Sequence, residues 1–378
     1  MYKKFLFQLI TLSNFFLNIY ILFILLFIGR LEIAGEGFVV ISLINVFSYG
    51  LSANIRNIYL GNKDSANIKN FLFLRIKIGL YALIFSSIVV FFLISKENIV
   101  FHVSLISLTT VNWILEIFIA RNEKSNRLNI YHIINILFFI LIYPIFAFLN
   151  FYESSIYLIF IFILLNLIIY TKPINNIIRL REIYSNNKKV NFNLGIFSTF
   201  SKTISNLIWR YSVFLIIGKS QSALLFLGFS VGSFFGTLFD VSYGALFLKN
   251  FKKYKYFFLN MLYIIYIIFI SIFLFYFIKF SSLSALELNT LYISSGFSIV
   301  GAYIMIFALE IRQGLFEIKN MQNTCYKIDI YLYVLIAVLI PILNLISLEL
   351  IYSAYFIVSI LFYVLYKIVS VKALQKKL

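Results

Sequence analysis

Apolar runs long enough to cross a bilayer follow one another along almost the whole chain and leave no room for a soluble domain of useful size. The hydrocarbon core is ~30 Å thick, so a helix needs about 20 apolar residues to span it. Hydrophobic residues make up 62% of the sequence and charged residues 12%, against roughly 25% in a soluble domain. Twelve spans are expected, at about 6–28, 33–54, 76–94, 99–119, 130–150, 153–171, 194–217, 222–247, 257–279, 288–309, 328–347 and 350–366. The fold class is therefore all-α and polytopic. The first run is too long for a cleaved signal peptide, and Gly29-Arg30-Leu31 offers no small-residue cleavage site, so it is expected to remain as a helix.

The net charge of +18 would fit a nucleic-acid partner, but its placement argues against one. Of the 32 Lys and Arg residues, 26 fall on alternate connections and the two ends, among them Lys3, Arg56, Arg75, Arg121, Arg181, Lys252, Arg312 and Lys376. The intervening connections carry only Arg30, Lys96, Lys219 and Lys279. Basic residues are retained on the cytoplasmic side. Both termini are thus expected in the cytoplasm, with the chain multi-pass in the cytoplasmic (inner) membrane and no nucleic-acid partner. One cysteine excludes an internal disulfide framework and a thiol metal site. Two histidines, His102 and His132, leave little for His-based catalysis. No metal or cofactor is expected.

The chain also repeats itself. Thr11-Leu12-Ser13-Asn14 returns as Thr203-Ile204-Ser205-Asn206, and Ser48-Tyr49-Gly50 as Ser242-Tyr243-Gly244. Leu115-Glu116-Ile117 matches Leu309-Glu310-Ile311, Pro144 matches Pro341, and Glu153 matches Glu349. All five pairs occur in order at offsets of 192–197. Two six-helix repeats of the same orientation follow, a parallel transporter repeat with substrate expected between the bundles. The divisions are an N-terminal bundle at 1–171, a basic cytoplasmic linker at 172–193 and a C-terminal bundle at 194–378.

Polar residues inside the spans mark candidate sites. In the seventh span, Thr199, Thr203, Asn206 and Arg210 follow 4, 3, 4 spacing and share one helical face, with Lys202 close to it. Thr11, Asn14 and Asn18 repeat the pattern in the first span. Such stripes face a partner helix or a water-filled cavity rather than lipid. Interhelical hydrogen bonding is the alternative for the hydroxyls and amides, and for Thr and Ser alone it is the favoured reading. Arg210 differs, because it lies about 16 residues, or ~24 Å, into its helix. A charge there costs at least ~2.5–3.5 kcal/mol against lipid. Arg210, Lys202, Asn206, Thr203, Asn14 and Asn18 are the candidate substrate-binding residues. Lys202 and Asp240 have similar depth on sequential helices and could pair with each other or serve function. Glu116 and Glu310 end symmetric helices; they are either salt-bridged to nearby Arg121 and Arg312 or part of a coupling-ion site. Asp240, Glu116 and Glu310 are the candidates for gating or ion coupling. Gly228, Gly232 and Gly236, spaced by four, allow close approach of another backbone.

The arrangement resembles the polysaccharide (O-antigen-type) flippases of the multidrug/oligosaccharidyl-lipid/polysaccharide exporter superfamily. The words that carry the resemblance are Ser205-Asn206-Leu207-Ile208-Trp209-Arg210-Tyr211 and Gly236-Thr237-Leu238-Phe239-Asp240. It covers the whole chain as a pattern of spans, without a diagnostic catalytic signature, and the two extra helices of the lipid II flippases are missing. The resemblance implies transport rather than catalysis. It further implies an undecaprenyl-diphosphate-linked oligosaccharide as cargo, moved by alternating access in polysaccharide or lipopolysaccharide O-antigen biosynthesis. The diphosphate suits Arg210 and Lys202. Membrane lipids and glycan-assembly proteins are the other partners implied.

Two alternatives stand beside it. A drug or metabolite antiporter of the same fold would more often carry an acidic site in the bundle. A membrane glycan-modifying enzyme would need a large outer loop or an outward His/Asp pair, and neither is evident in the sequence. A sugar-facilitator-type transporter fits less well, because Asn54 to Asp64 lacks its Gly-Asp-Arg-rich connection.

Overall fold

The computed structural model describes residues 18–50, 68–94, 96–124, 137, 141, 152–178, 194–238, 255–280, 283–316, 318 and 321–375. These are helical, with no strand among the described residues. The helices are α1 (Asn18–Phe27), α2 (Leu31–Asn45, continued by a π-helical turn at Val46–Gly50), α3 (Ile68–Leu93) and α4 (Ile99–Lys124). There follow α5 (Tyr152–Ile178), α6 (Leu194–Ile217), α7 (Lys219–Leu238), α8 (Lys255–Phe280) and α9 (Ala285–Phe316). The last three are α10 (Gln322–Ile346), the short α11 (Leu348–Tyr352) and α12 (Ala354–Gln375). The described helices fall in the expected segments; of 130–150 only residues 137 and 141 are described, and 6–17, 51–54 and 239–247 lie outside the described residues. Among the described residues, six helices are long and apolar enough to cross a membrane: α2 with its π turn, α3, α4, α9, α10 and α12. The chain thus has the character of a membrane protein.

Local chemistry explains several boundaries. α1 stops at Gly29, whose φ of 81° is left-handed. The Arg30 amide donates to the Leu25 carbonyl at 2.8 Å and the Gly29 amide to that of Leu26 at 3.1 Å, so the helix end is capped before α2 begins. Gly218, at φ 86°, makes the same break between α6 and α7. Only glycine enters this region without a Cβ penalty. α9 starts at a capping box: the Ser284 amide donates to Glu287 Oε2 at 2.7 Å, and the Glu287 amide donates back to Ser284 Oγ at 3.5 Å.

The chain divides into two compact units, Met1–Ile24 with Glu36–Leu207 and Leu25–Gly35 with Ile208–Leu378. The divisions fall within α1, α2 and α6.

In unit 1, α3, α4 and α5 pack through Ile68, Phe71 and Leu72, Leu115, Ile117, Phe118 and Ala120, and Tyr170. The Phe118 and Tyr170 rings lie 5.3 Å apart. At the π turn, a side chain on Gly50 would collide with the Thr203 hydroxyl. The opposite face of α3 carries Tyr81, Phe85, Ile88 and Phe92, all exposed, as befits a surface solvated by lipid.

In unit 2, α9 is the central helix, packed against α7 and α12. The glycine series on α7 meets small residues on α9: a Cβ on Gly232 would lie 2.7 Å from the Ser295 carbonyl oxygen, and Gly228 faces Ser294. The expected close backbone approach is therefore a contact inside the unit. Tyr263 and Tyr266 of α8 donate to backbone carbonyls of Ile299 and Val231, the first at 2.5 Å. Pro341 lies within α10, where it removes one backbone donor.

Candidate functional site

α6 carries the polar stripe. It runs from Leu194 to Ile217 and is bounded by the break at Gly218. Its interior hydroxyls are largely used by its own backbone: Thr199 Oγ1 donates to the Gly195 carbonyl at 2.9 Å, and Thr203 Oγ1 to that of Phe200 at 3.0 Å. Thr203 is also buried against Gly50.

Asn206 lies in the middle of α6, and it is exposed. An exposed primary amide is better matched to water or a polar ligand than to hydrocarbon. Lys202, one turn earlier, is half-buried. Arg210, one turn later, is also half-buried, and its guanidinium lies 5.5 Å from the Trp209 ring and 5.6 Å from the Phe226 ring. Trp209 is fixed edge-on against Phe226 and Phe229, at 5.5 and 5.7 Å. Aromatic faces attract the guanidinium. What the helix offers chemically is therefore a cation on an aromatic wall, one turn from an exposed amide.

The first-span stripe is described only at Asn18. It is buried, and its Oδ1 has no hydrogen-bond partner among the described residues. Asn14 and Asp240 lie outside the described residues, as does the Ser242-Tyr243-Gly244 copy of the repeat. The expected pairing of Lys202 with Asp240 lies outside them as well.

The two glutamates part ways. Glu116 receives Arg75 Nη1 at 3.2 Å, so its arginine is Arg75 on α3 rather than the expected Arg121. Arg75 also donates to the Trp113 carbonyl at 2.5 Å and stands 5.1 Å from the Trp113 ring. This is a correction to the charge map as well. Arg75 counts among the basic connection residues in the sequence, but α3 begins at Ile68 and buries it. Glu310 is half-buried on α9. Arg312, its expected partner, turns to Asp329 on α10: Nη2 to Oδ2 is 2.6 Å and Nε to Oδ1 is 3.2 Å. The Tyr366 hydroxyl donates to the same carboxylate.

Arg75, Asp329 and Tyr366 were not singled out by sequence, and neither was a third cluster in which Glu36, Asn98 and His102 meet in unit 1. A lone acid inside an apolar run, such as Glu36, was the available signal. No protein-family model matches the chain, and no curated protein or solved structure matches it.

Proposed function

We propose that the protein is a flippase that moves a lipid-linked oligosaccharide, carried on undecaprenyl diphosphate, across the cytoplasmic membrane by alternating access. The proposal includes twelve spans in two parallel repeats, with both termini in the cytoplasm. Six helices of spanning character and the ordered repeat words support that architecture.

The observation that carries the reading is on α6: an exposed amide at mid-helix, Asn206, followed one turn later by Arg210 held on Trp209 and Phe226. A cargo that brings a diphosphate into a membrane needs a fixed cation at depth. Arginine serves it by two parallel charge-assisted hydrogen bonds. Lysine reproduces the charge but not the geometry.

The test is complementation of a strain lacking this gene, scored by surface glycan, with protein abundance measured in the membrane fraction. Arg210→Ala is expected at normal abundance with surface-glycan assembly abolished, and Arg210→Lys is expected to restore part of it. Full glycan display by Arg210→Ala would overturn the proposal. Loss of the protein itself would assign Arg210 a structural role instead.

A further inference from the structure

Glu36 is 1% exposed on α2, and His102 is fully buried on α4. His102 Nε2 lies 3.4 Å from Glu36 Oε2, and the same carboxylate oxygen accepts from Asn98 Nδ2 at 3.2 Å. All three residues belong to unit 1. Their depth follows from the helix starts. Glu36 comes five residues after Leu31, and His102 three residues after Ile99. At 1.5 Å per residue these are ~8 Å and ~5 Å below the helix ends. The pair is thus dry but shallow. Leu22 of α1 packs on Gly37 beside it, and the Phe101 ring stands 5.7 Å from the imidazole.

Charge counting sets what this pair can do. A carboxylate beside a neutral imidazole has net charge −1, and with both groups protonated the pair has net charge +1. With one proton shared between them the pair is neutral, and the neutral form is the one least penalised by burial. Among the described side chains of unit 1, Lys96 and Glu97 are exposed beside Asn98, and α1 carries Tyr20.

We propose that Glu36 and His102 form a proton-binding site, loaded from the end of unit 1 at which α2 and α4 begin. The site rests on this pair and its depth, not on the identity of the cargo. It makes the charge of unit 1 depend on the pH of the compartment at that end.

The test uses the full chain in lipid bilayers with ¹⁵N-labelled histidine. The protein has two histidines, so His132→Gln leaves His102 as the sole imidazole. The His102 signal is expected to titrate, and Glu36→Gln is expected to move its midpoint by about tenfold or more in proton concentration, as an opposite charge at this distance does. An unmoved midpoint would overturn the proposal. So would an imidazole that stays in one form between ~pH 4 and ~pH 10, which brackets ordinary Glu and His titration. If Glu36→Gln fails to fold, the unsubstituted pair decides. A shared proton makes the carboxyl infrared band shift at the pH where the imidazole does, whereas independent midpoints would refute sharing. Because the readout is protonation, it can succeed or fail whatever the outcome for Arg210 in glycan assembly.

Discussion

Arg75 on α3 and Glu116 on α4 form an ion pair at 3.2 Å, with side-chain exposures of 1% and 13%. Removing one partner of such a buried pair leaves an uncompensated charge and costs about 3–5 kcal/mol. Arg75→Ala or Glu116→Ala is therefore expected to destabilise unit 1 by that amount. Replacing both by apolar residues of similar volume, Arg75→Met with Glu116→Leu, should recover most of the loss. Denaturant titration in detergent, followed on all three variants, checks this. Equal instability of the single and double variants would argue against the pair.

The Arg312–Asp329–Tyr366 network ties α9, α10 and α12 together. Tyr366→Phe keeps the ring packing and removes one donor from a buried carboxylate, for a loss of about 1–3 kcal/mol. Arg312→Lys keeps the charge but loses the fork that spans both oxygens. Thermal midpoints in detergent should fall for both variants, and an unchanged midpoint in Tyr366→Phe would remove the hydroxyl from the account.

Glycines on α7 and α9 give a paired control. Gly232→Ala places a methyl against the Ser295 carbonyl and is expected to cost about 1–3 kcal/mol by overpacking. Gly296→Ala, on an open face of α9, meets nothing within 4 Å. It should be neutral or stabilising by up to about 1 kcal/mol, the helix-propensity difference between the two residues. Comparing the two stabilities separates close packing from propensity.

Topology is open to labelling. Cys325 is buried, so the native chain should give a low background. A cysteine at Ser185, in the basic segment 172–193, is expected to react only from the cytoplasmic side, and one at Glu97 only from outside. Reaction of Ser185→Cys with an impermeant reagent added to intact cells would reverse the proposed orientation.

Much of the helical layout was legible in the sequence because burial in lipid imposes a simple length rule. The bounds of α6 coincide with the expected 194–217, where the polar linker ends on one side and Gly218 breaks the helix on the other. The Gly228–Gly232–Gly236 series also announced close packing, though not that Ser294 and Ser295 would receive it. Pairing across helices was not legible. Arg75 reads as a loop residue because a lone cation usually ends a span; its partner Glu116 lies 41 residues away in sequence. Thr203 reads as a cavity residue by its spacing, but its hydroxyl is bonded within its own helix. Glu36 and His102 fell on different spans, and nothing in either run pointed to the other.

The buried arginine of α3 bears on how the chain enters the membrane. α3 is synthesised before α4, so for an interval Arg75 has no Glu116 to meet. An arginine deep in an isolated helix opposes its partition from the translocon into lipid by as much as ~2.5–3.5 kcal/mol, less toward the helix end where Arg75 sits. The long apolar remainder of α3 works against that penalty, and the short connection at residues 94–98 delivers α4 directly afterwards. The two helices are thus suited to leave the translocon as one hairpin, with the ion pair closed before lipid surrounds it.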